Sequence, residues 1–211
     1  MNIARILYPV ETLGPGKRIG IWTCGCPRRC DGCANPDLWE FDEKRNVKIE
    51  VLLDMIRQII EKHPVDGFTI SGGEPVSQGA ELEQLLSALS VWSEDILVFT
   101  GYDIKEASNL ISLEHVAVLV DGPYIKERNR GLILRGSDNQ IIHILKSEFK
   151  STYQKYLSEE HSKIQNFLDG YSVISVGIHR PDYVETICDY MEKKGLIERG
   201  AIHEPIYSEM A

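Results

Sequence analysis

The sequence predicts an α/β protein in which parallel strands alternate with helices. Two observations support this class: short apolar, β-branched runs alternate with amphipathic stretches, and polar loops with glycine follow the runs. Strands are predicted at 18–23, 67–71, 96–100 and 116–120. Because sites in such sheets lie at the carboxyl ends of the strands, we expect a functional site where these four loops meet.

Helices are predicted between the strands from apolar residues that recur every three or four positions. One stretch ends before Pro64 and has the apolar positions Leu52, Met55, Ile56, Ile59 and Ile60. A second has Leu82, Leu85, Leu86 and Leu89 on one face. Asp103 and Glu106 have the spacing of a capping box, which predicts a short third helix.

The pattern changes near residue 150, and we place a boundary there. A first domain at 1–149 is predicted, followed by an α/β extension at 150–211 of unknown role. Apolar residues from Phe149 to Phe167 fit one long amphipathic helix that ends at Asp169-Gly170. A strand over 171–178 and a helix from Pro181 to Lys194 are predicted to follow.

Composition and charge exclude some functions. The chain has 211 residues, with 32 acidic and 23 basic side chains and a net charge of −9, which argues against nucleic-acid binding. No apolar run has the roughly 18 residues that a membrane span requires. The first residues lack the apolar stretch of a secretory signal, so we expect a cytoplasmic protein. In a reducing compartment, clustered cysteines are usually metal ligands.

Four of the five cysteines lie in one loop at 23–33, among glycine, proline and charged residues. Cys26, Cys30 and Cys33 have the spacing C-x3-C-x2-C, and no second C-x2-C pair exists in the chain. Three thiolates on one loop suit an iron–sulfur cube with one iron left open for a small molecule. Two alternatives remain open: Cys24 as a fourth ligand, or a structural zinc loop.

Several polar residues at the strand ends are candidate cofactor contacts. In the turn Gly72-Gly73-Glu74-Pro75, glycines allow close approach of the backbone to a ligand, and Glu74 supplies a charged acceptor or fixes the loop. An ordinary strand-to-helix turn is the alternative. The other candidates are Thr100, Asp121, Arg135, Ser137 and Asn139. Each of these could instead cap a segment or hold its own loop together.

This ordered set of motifs resembles a known family. The C-x3-C-x2-C loop after the first predicted strand, followed by Gly-Gly-Glu-Pro after the second, resembles the radical S-adenosylmethionine (SAM) superfamily. The similarity to the anaerobic ribonucleoside-triphosphate reductase activating proteins, which are glycyl radical enzyme activases, extends over residues 1 to about 146. It is carried further by Gly14-Pro15-Gly16, Cys33-Ala34-Asn35-Pro36, Thr100-Gly101-Tyr102, Val120-Asp121-Gly122 and 135–140.

The resemblance implies a fold, two cofactors and a reaction. The expected fold is a partial, open (β/α) barrel of parallel strands. Cys26, Cys30 and Cys33 would hold a [4Fe-4S] cluster whose open iron binds SAM, with no catalytic side chain beyond the two cofactors. Reductive cleavage of SAM gives a 5'-deoxyadenosyl radical, which takes hydrogen from a glycine of a partner enzyme. The implied partners are an anaerobic ribonucleotide reductase and a flavodoxin or ferredoxin as electron donor.

Two other functions remain open at this stage. One is a radical SAM enzyme that modifies a small molecule or peptide, with the extension forming its substrate pocket. The other is a non-enzymatic iron–sulfur or zinc module. Release of 5'-deoxyadenosine and a glycine-centred signal in electron paramagnetic resonance distinguish the three.

Overall fold

A computed structural model describes residues 1–159, 163–169, 172–180 and 182–195 of the chain. It has a six-stranded sheet in the order β1-β2-β3-β4-β5-β6. The strands are β1 (Ile3–Val10), β2 (Arg18–Thr23), β3 (Gly67–Gly72), β4 (Ile96–Phe99), β5 (Val118–Asp121) and β6 (Ile141–Ile144). Strands β2 to β5 are parallel, which confirms the predicted α/β class and its four strands.

The two edges of the sheet differ from the prediction. β1, which the sequence patterns did not predict, pairs antiparallel with β2, and β6 pairs antiparallel with β5. The connection from Val10 to Arg18 is short, and an antiparallel neighbour needs no crossover helix, whereas a parallel one needs a dozen or more connecting residues. The expectation that all strands are parallel is therefore wrong at both edges.

Three helices connect the parallel strands. They are α1 (Ile49–Ile60), α2 (Gly79–Ser90) and α3 (Ile104–Leu110), as the apolar spacing predicted. α3 begins with the predicted capping box, in which the carboxylate of Asp103 accepts from Glu106 N and the side chain of Glu106 accepts from Asp103 N. All three helices pack on one face of the sheet, against Ile21, Ile70 and Val98 among others.

The opposite face of the sheet is covered by the segments that follow β6. Tyr153 of α4 (Lys150–Leu157) packs against Leu97, Val118 and Val120. A hairpin of β7 (Ile164–Asp169) and β8 (Ser172–Gly177) contributes Val176, which packs with Trp22 and other residues on the β1–β2 side. Alternate residues of the central strands therefore face two cores, as expected for a strand that is buried on both sides.

The long helix predicted over 149–169 is wrong. The helix ends at Leu157, and Ile164 and Phe167 lie on β7, where they pair with Gly177 and Ile174. Short apolar runs fit both helical and strand periods, and here pairing with β8 and burial against the sheet decide the outcome. The predicted strand and last helix are confirmed as β8 and α5 (Tyr183–Lys193), while Gly170, Tyr171 and Pro181 lie outside the described residues.

Candidate iron–sulfur and cofactor site

The cysteine loop begins at the carboxyl end of β2 and is held to the segment that follows it. Gly25 N donates to Leu38 O at 2.9 Å, and Cys26 N donates to Trp39 O at 2.8 Å. Gly25 has φ +89°, and a Cβ there would overlap the ring of Phe41, so a side chain at this position would be both strained and obstructed. These contacts fix where the loop leaves the sheet.

The Gly-Gly-Glu-Pro turn at the end of β3 is bonded directly to the cysteine loop. Gly73 N donates to Thr23 O, and Glu74 N donates to Gly25 O, both at 2.8 Å. A Cβ on Gly73 would lie 2.5 Å from Gly25 O, so only glycine at position 73 allows the two segments to approach this closely. The two predicted motifs therefore form one continuous backbone surface.

A cavity of about 910 Å³ opens at this edge of the sheet. Its wall includes Cys26, Cys30 and Cys33, together with Gly72, Gly73 and Glu74 of the turn. Phe99, Thr100 and Gly101 contribute from the end of β4. The volume is near the upper end of the range for small-molecule pockets, about 300–1,000 Å³. Gly122, which follows β5, is also on the wall, so the carboxyl ends of all four parallel strands meet at one space, as the fold class predicted.

The three cavity thiols suit a cluster better than a single ion. Burial raises the pKa of the Cys33 thiol and the nearby Cys26 and Cys30 raise it further, while Asn35 N, 3.4 Å from its sulfur, acts in the opposite direction. Within the described residues, no three His, Cys, Asp or Glu side chains converge as ligands of one ion. Thiolates of an iron–sulfur cube bind separate corners, so they need not converge on a point.

Cys24 is directed elsewhere. Its side chain is 1% exposed in the apolar cluster beneath the sheet, and its sulfur accepts from an Arg45 guanidinium nitrogen at 3.2 Å. Cys24 is not part of the cavity wall that contains the other three thiols. Packing in this cluster and the contact with Arg45 account for the burial of Cys24.

The carboxylate of Glu74 joins its own turn to the loop after β4 at the cavity wall. Oε1 accepts from Val76 N at 3.1 Å and from the Thr100 hydroxyl at 2.7 Å, and Oε2 accepts from Gly101 N at 2.7 Å. Burial raises the pKa of this carboxyl, while the three hydrogen bonds and the nearby Arg28 guanidinium act in the opposite direction. Of the two roles considered for Glu74, fixing the loop is the one that these contacts describe.

The remaining predicted residues lie around the cavity rather than on its wall. Pro75 begins a short 3-10 helix, and Asp121 Oδ2 accepts from Ile104 N at 2.7 Å and lies 3.0 Å from His143 Nε2. Ser137 Oγ accepts from Ile125 N at 3.1 Å, and Asn139 donates to Pro123 O at 2.8 Å. Arg135 reaches Gln140 O at 3.5 Å. The contacts of Ser137, Asn139 and Arg135 hold the loops after β5 together, and Asp121 joins the end of β5 to the start of α3.

The structure adds residues to the cavity wall beyond the predicted cofactor contacts. Arg28, from the cysteine loop, lies 5.0 Å from the Tyr102 ring centroid and forms part of the cavity wall. The loop after β5 contributes Tyr124 and Asn129, and the segment from β8 to α5 contributes Ser175, His179, Tyr183 and their neighbours. No sequence signal identifies the last group, because it lies some 150 residues from the cysteines in the chain.

Comparison with known proteins agrees with this site. The model of the 4Fe-4S single cluster domain family matches residues 12–143. The anaerobic ribonucleoside-triphosphate reductase-activating protein of Enterobacteria phage T4 is 30% identical over 145 residues, which are 66% of this chain and 92% of that protein. Its namesake from Vibrio cholerae is 33% identical over 149 residues, 64% of this chain and 94% of that protein.

This chain belongs to that family of activating proteins. It is also 39% identical over 93 residues to the pyruvate formate-lyase-activating enzyme of Staphylococcus epidermidis, which are 39% of this chain and 36% of that protein. These comparisons confirm the predicted family, the radical SAM activase class and both cofactors, a [4Fe-4S] cluster and SAM. No helix among the described residues is long and apolar enough to span a membrane.

Proposed function

We propose that this protein cleaves SAM reductively and generates a glycyl radical on a partner enzyme, an anaerobic ribonucleotide reductase. The observation that carries the proposal is the single cavity whose wall contains Cys26, Cys30 and Cys33 beside the Gly72–Glu74 backbone. Such a space accommodates a cluster and an adjacent nucleotide cofactor. Relatives named as reductase-activating proteins, nearly all of whose length aligns with this chain, support the choice of partner.

The residues of the chain would divide the work as follows. The three thiols hold the cluster, which when bound and reduced supplies the electron that splits SAM into methionine and a 5'-deoxyadenosyl radical. The carbonyl groups of the Gly72-Gly73 turn are acceptors for the ammonium group of SAM. Glu74, with its bonds to Thr100 and Gly101, keeps that turn at a fixed distance from the cysteine loop. Pro75, Asp121, Arg135, Ser137 and Asn139 remain proposed cofactor contacts, through the loops that they hold.

The reaction balances with one external electron. A flavodoxin or ferredoxin would supply that electron, and SAM bound in the cavity would provide a 5'-deoxyadenosyl radical able to abstract a hydrogen atom from the glycine Cα. The products are methionine, 5'-deoxyadenosine and a glycine-centred radical. The walls of the cavity would shield bound SAM from water and orient it toward the partner's glycine.

A partial (β/α) barrel is the finer fold that we propose. Helices α1 to α3 all pack on one face of the sheet, whereas an open doubly wound sheet has helices on both. Right-handed crossovers that remain on one face curl the strands toward a barrel. We retain residues 150–211 as an extension of this barrel domain. The interior of the barrel is then the face of the sheet that α4 and the β7–β8 hairpin cover.

Anaerobic reconstitution with iron and sulfide tests the function. The reconstituted protein, reduced in the presence of SAM, is expected to release 5'-deoxyadenosine and methionine. Addition of an anaerobic ribonucleotide reductase from the same genome should give a glycine-centred doublet in electron paramagnetic resonance. A modified small molecule without that doublet would identify a different radical reaction, and bound zinc in place of iron would exclude radical chemistry altogether.

A further inference from the structure

Three side chains that follow the family-matched region form a hydrogen-bonded trio on the cavity wall. Ser175 Oγ lies 2.9 Å from His179 Nε2 and 2.9 Å from the Tyr183 hydroxyl. The His179 and Tyr183 rings are 4.4 Å apart between centroids. All three residues are half-buried and belong to the wall of the cavity that contains Cys26, Cys30 and Cys33.

The segment that contains the trio is fixed to the body of the protein. Asn129 donates to His179 O at 2.9 Å, and the Thr12 hydroxyl donates to Val176 O at 3.1 Å. Gln165 Nε2, on the paired strand β7, donates to Pro9 O at 2.7 Å. Val176 is 3% exposed within the cluster that includes Trp22. The trio therefore has a defined position relative to the cysteine loop.

The relatives indicate that handling of the cofactors does not require the extension at 150–211. Alignments that account for 92% and 94% of two reductase-activating proteins use only about two thirds of this chain, and the family model ends at residue 143. The shared part contains the three cavity cysteines and the Gly-Gly-Glu turn. Handling of the cofactors thus lies in the shared part, and the wall built by the extension faces whatever enters the cavity beside them.

We propose that Ser175, His179 and Tyr183 bind the main chain of the partner segment that carries the glycine. This inference rests on the proposed function and names the part of the partner that the site recognises. A glycine segment that enters a cavity brings peptide N–H and C=O groups that lose water and need new hydrogen bonds. The glycine itself has no side chain, so contacts to that residue must be made to its backbone.

The chemistry of the trio matches a peptide group. Burial lowers the pKa of His179, which keeps the imidazole neutral, so the three side chains together have three polar protons. Two of these are used in the two bonds to Ser175 Oγ, whichever group donates. One proton and several lone pairs then remain beyond those bonds, which allows the trio to donate to a carbonyl and accept from an amide.

The test uses the full-length protein and two substitutions in the trio. Tyr183→Phe removes one hydroxyl and keeps the ring, and Ser175→Ala removes the atom on which both internal bonds meet. Tyr190→Phe is the matched control, because Tyr190 is an exposed tyrosine on the same helix, outside the cavity wall. A fluorescein-labelled peptide with the glycine segment of the reductase is titrated anaerobically, and fluorescence anisotropy gives its Kd.

Wild type and Tyr190→Phe should bind the peptide equally, and Tyr183→Phe should weaken binding about two- to tenfold, as for the loss of one hydrogen bond. With intact reductase, the trio variants should require correspondingly more reductase for half-maximal glycyl radical. They should also release more 5'-deoxyadenosine per glycyl radical formed, because fewer SAM cleavage events lead to hydrogen abstraction from a loosely held glycine. A merely structural role would not change that ratio.

Two results would overturn the inference. Unchanged peptide affinity and radical yield in both trio variants would show that the partner does not contact the trio. A fall in 5'-deoxyadenosine release without reductase, matching the fall in radical, would assign the trio to the cofactor instead. Failure of the proposed function is distinct, since then wild type and Tyr190→Phe also give no glycine doublet.

Discussion

The hydroxyl of Tyr153 donates a 2.7 Å hydrogen bond to the carboxylate of Asp95. Asp95 also forms an ion pair with the fully buried Arg18, at 2.8 Å between Nη1 and Oδ2. Burial raises the pKa of Tyr153 well above its ordinary value, so the phenol remains a donor. The bond joins α4, the first helix beyond the predicted boundary, to the residue that precedes β4. A buried charge network thus anchors the start of the extension on the sheet.

Two substitutions in this network should distinguish the stability contributed by a hydrogen bond from that contributed by a buried ion pair. Tyr153→Phe should lower the free energy of unfolding by about 1 kcal/mol, since Asp95 keeps its bonds from Arg18. Asp95→Asn should cost about 3–5 kcal/mol, because the guanidinium of Arg18 would remain buried without a counter-charge. Urea unfolding measures both, with Tyr190→Phe as an exposed control. Equal costs for the two substitutions would contradict the account.

A methyl group at Gly73 should separate the two motifs of the site. Gly73→Ala would place Cβ 2.5 Å from the backbone oxygen of Gly25, which cannot move without displacing the cysteine loop. We expect less iron after reconstitution and a lower unfolding midpoint. Gly101→Ala is the comparison variant, since its Cβ would meet side chains, Arg28 Cδ at 2.5 Å and Glu74 Oε2 at 3.3 Å, rather than backbone. Comparable iron content in the two variants would exclude a role for the close backbone approach.

Much of the fold could be predicted because its signals are local. The apolar spacing of α1 and α2, and the capping box of α3, depend on neighbours within one or two turns. Strands β1 and β7 were missed because pairing with a neighbouring strand, rather than a local pattern, determines them. Ile164 and Phe167 fit a helical spacing until β8 is placed beside them. Long-range pairing of this kind leaves little trace in a single sequence.

The same distinction between local and long-range signals applies to the site. The cysteine loop and the Gly-Gly-Glu-Pro turn were recognisable because their spacing is a chemical requirement within a short stretch of chain. Their direct backbone contact, from Gly73 N to Thr23 O, follows from the parallel pairing of β2 and β3. The trio of the extension could not be found, because serine, histidine and tyrosine at 175, 179 and 183 have no distinctive pattern until the hairpin is placed over the sheet.

Replacing the carboxylate of Glu74 should loosen the loop after β4. In Glu74→Gln, one oxygen becomes an amide nitrogen that cannot accept, so the bonds from Val76 N and from Gly101 N cannot both be retained. We expect a loss of about 1–3 kcal/mol in the free energy of unfolding, measured on the apoprotein by urea denaturation. Glu114→Gln is an exposed acidic control outside the cavity wall. Equal stability of the two variants would show that the Glu74 carboxylate does not hold the loop after β4 in place.

The cost of Glu74→Gln should also depend on pH. The folded protein raises the pKa of Glu74, so between the ordinary and the raised pKa the folded state binds more protons than the unfolded state. Stability contributed by this group is therefore greatest below the ordinary pKa and declines as pH rises through the raised one. The difference between wild type and Glu74→Gln should shrink over that interval and then level off. A difference that grows with pH would reverse the sign of the argument.

Serine substitutions at the cysteines should divide them into two groups. Serine at Cys26, Cys30 or Cys33 removes a thiolate from the cavity wall and should reduce reconstituted iron and sulfide well below about four each per chain. Release of 5'-deoxyadenosine should fall with the iron. Cys24→Ala and Cys188→Ser should retain both, because neither residue is on the cavity wall and the Cys24 sulfur contacts Arg45 instead. Iron loss in Cys24→Ala with an unchanged unfolding midpoint would make Cys24 a ligand and leave no open iron for SAM.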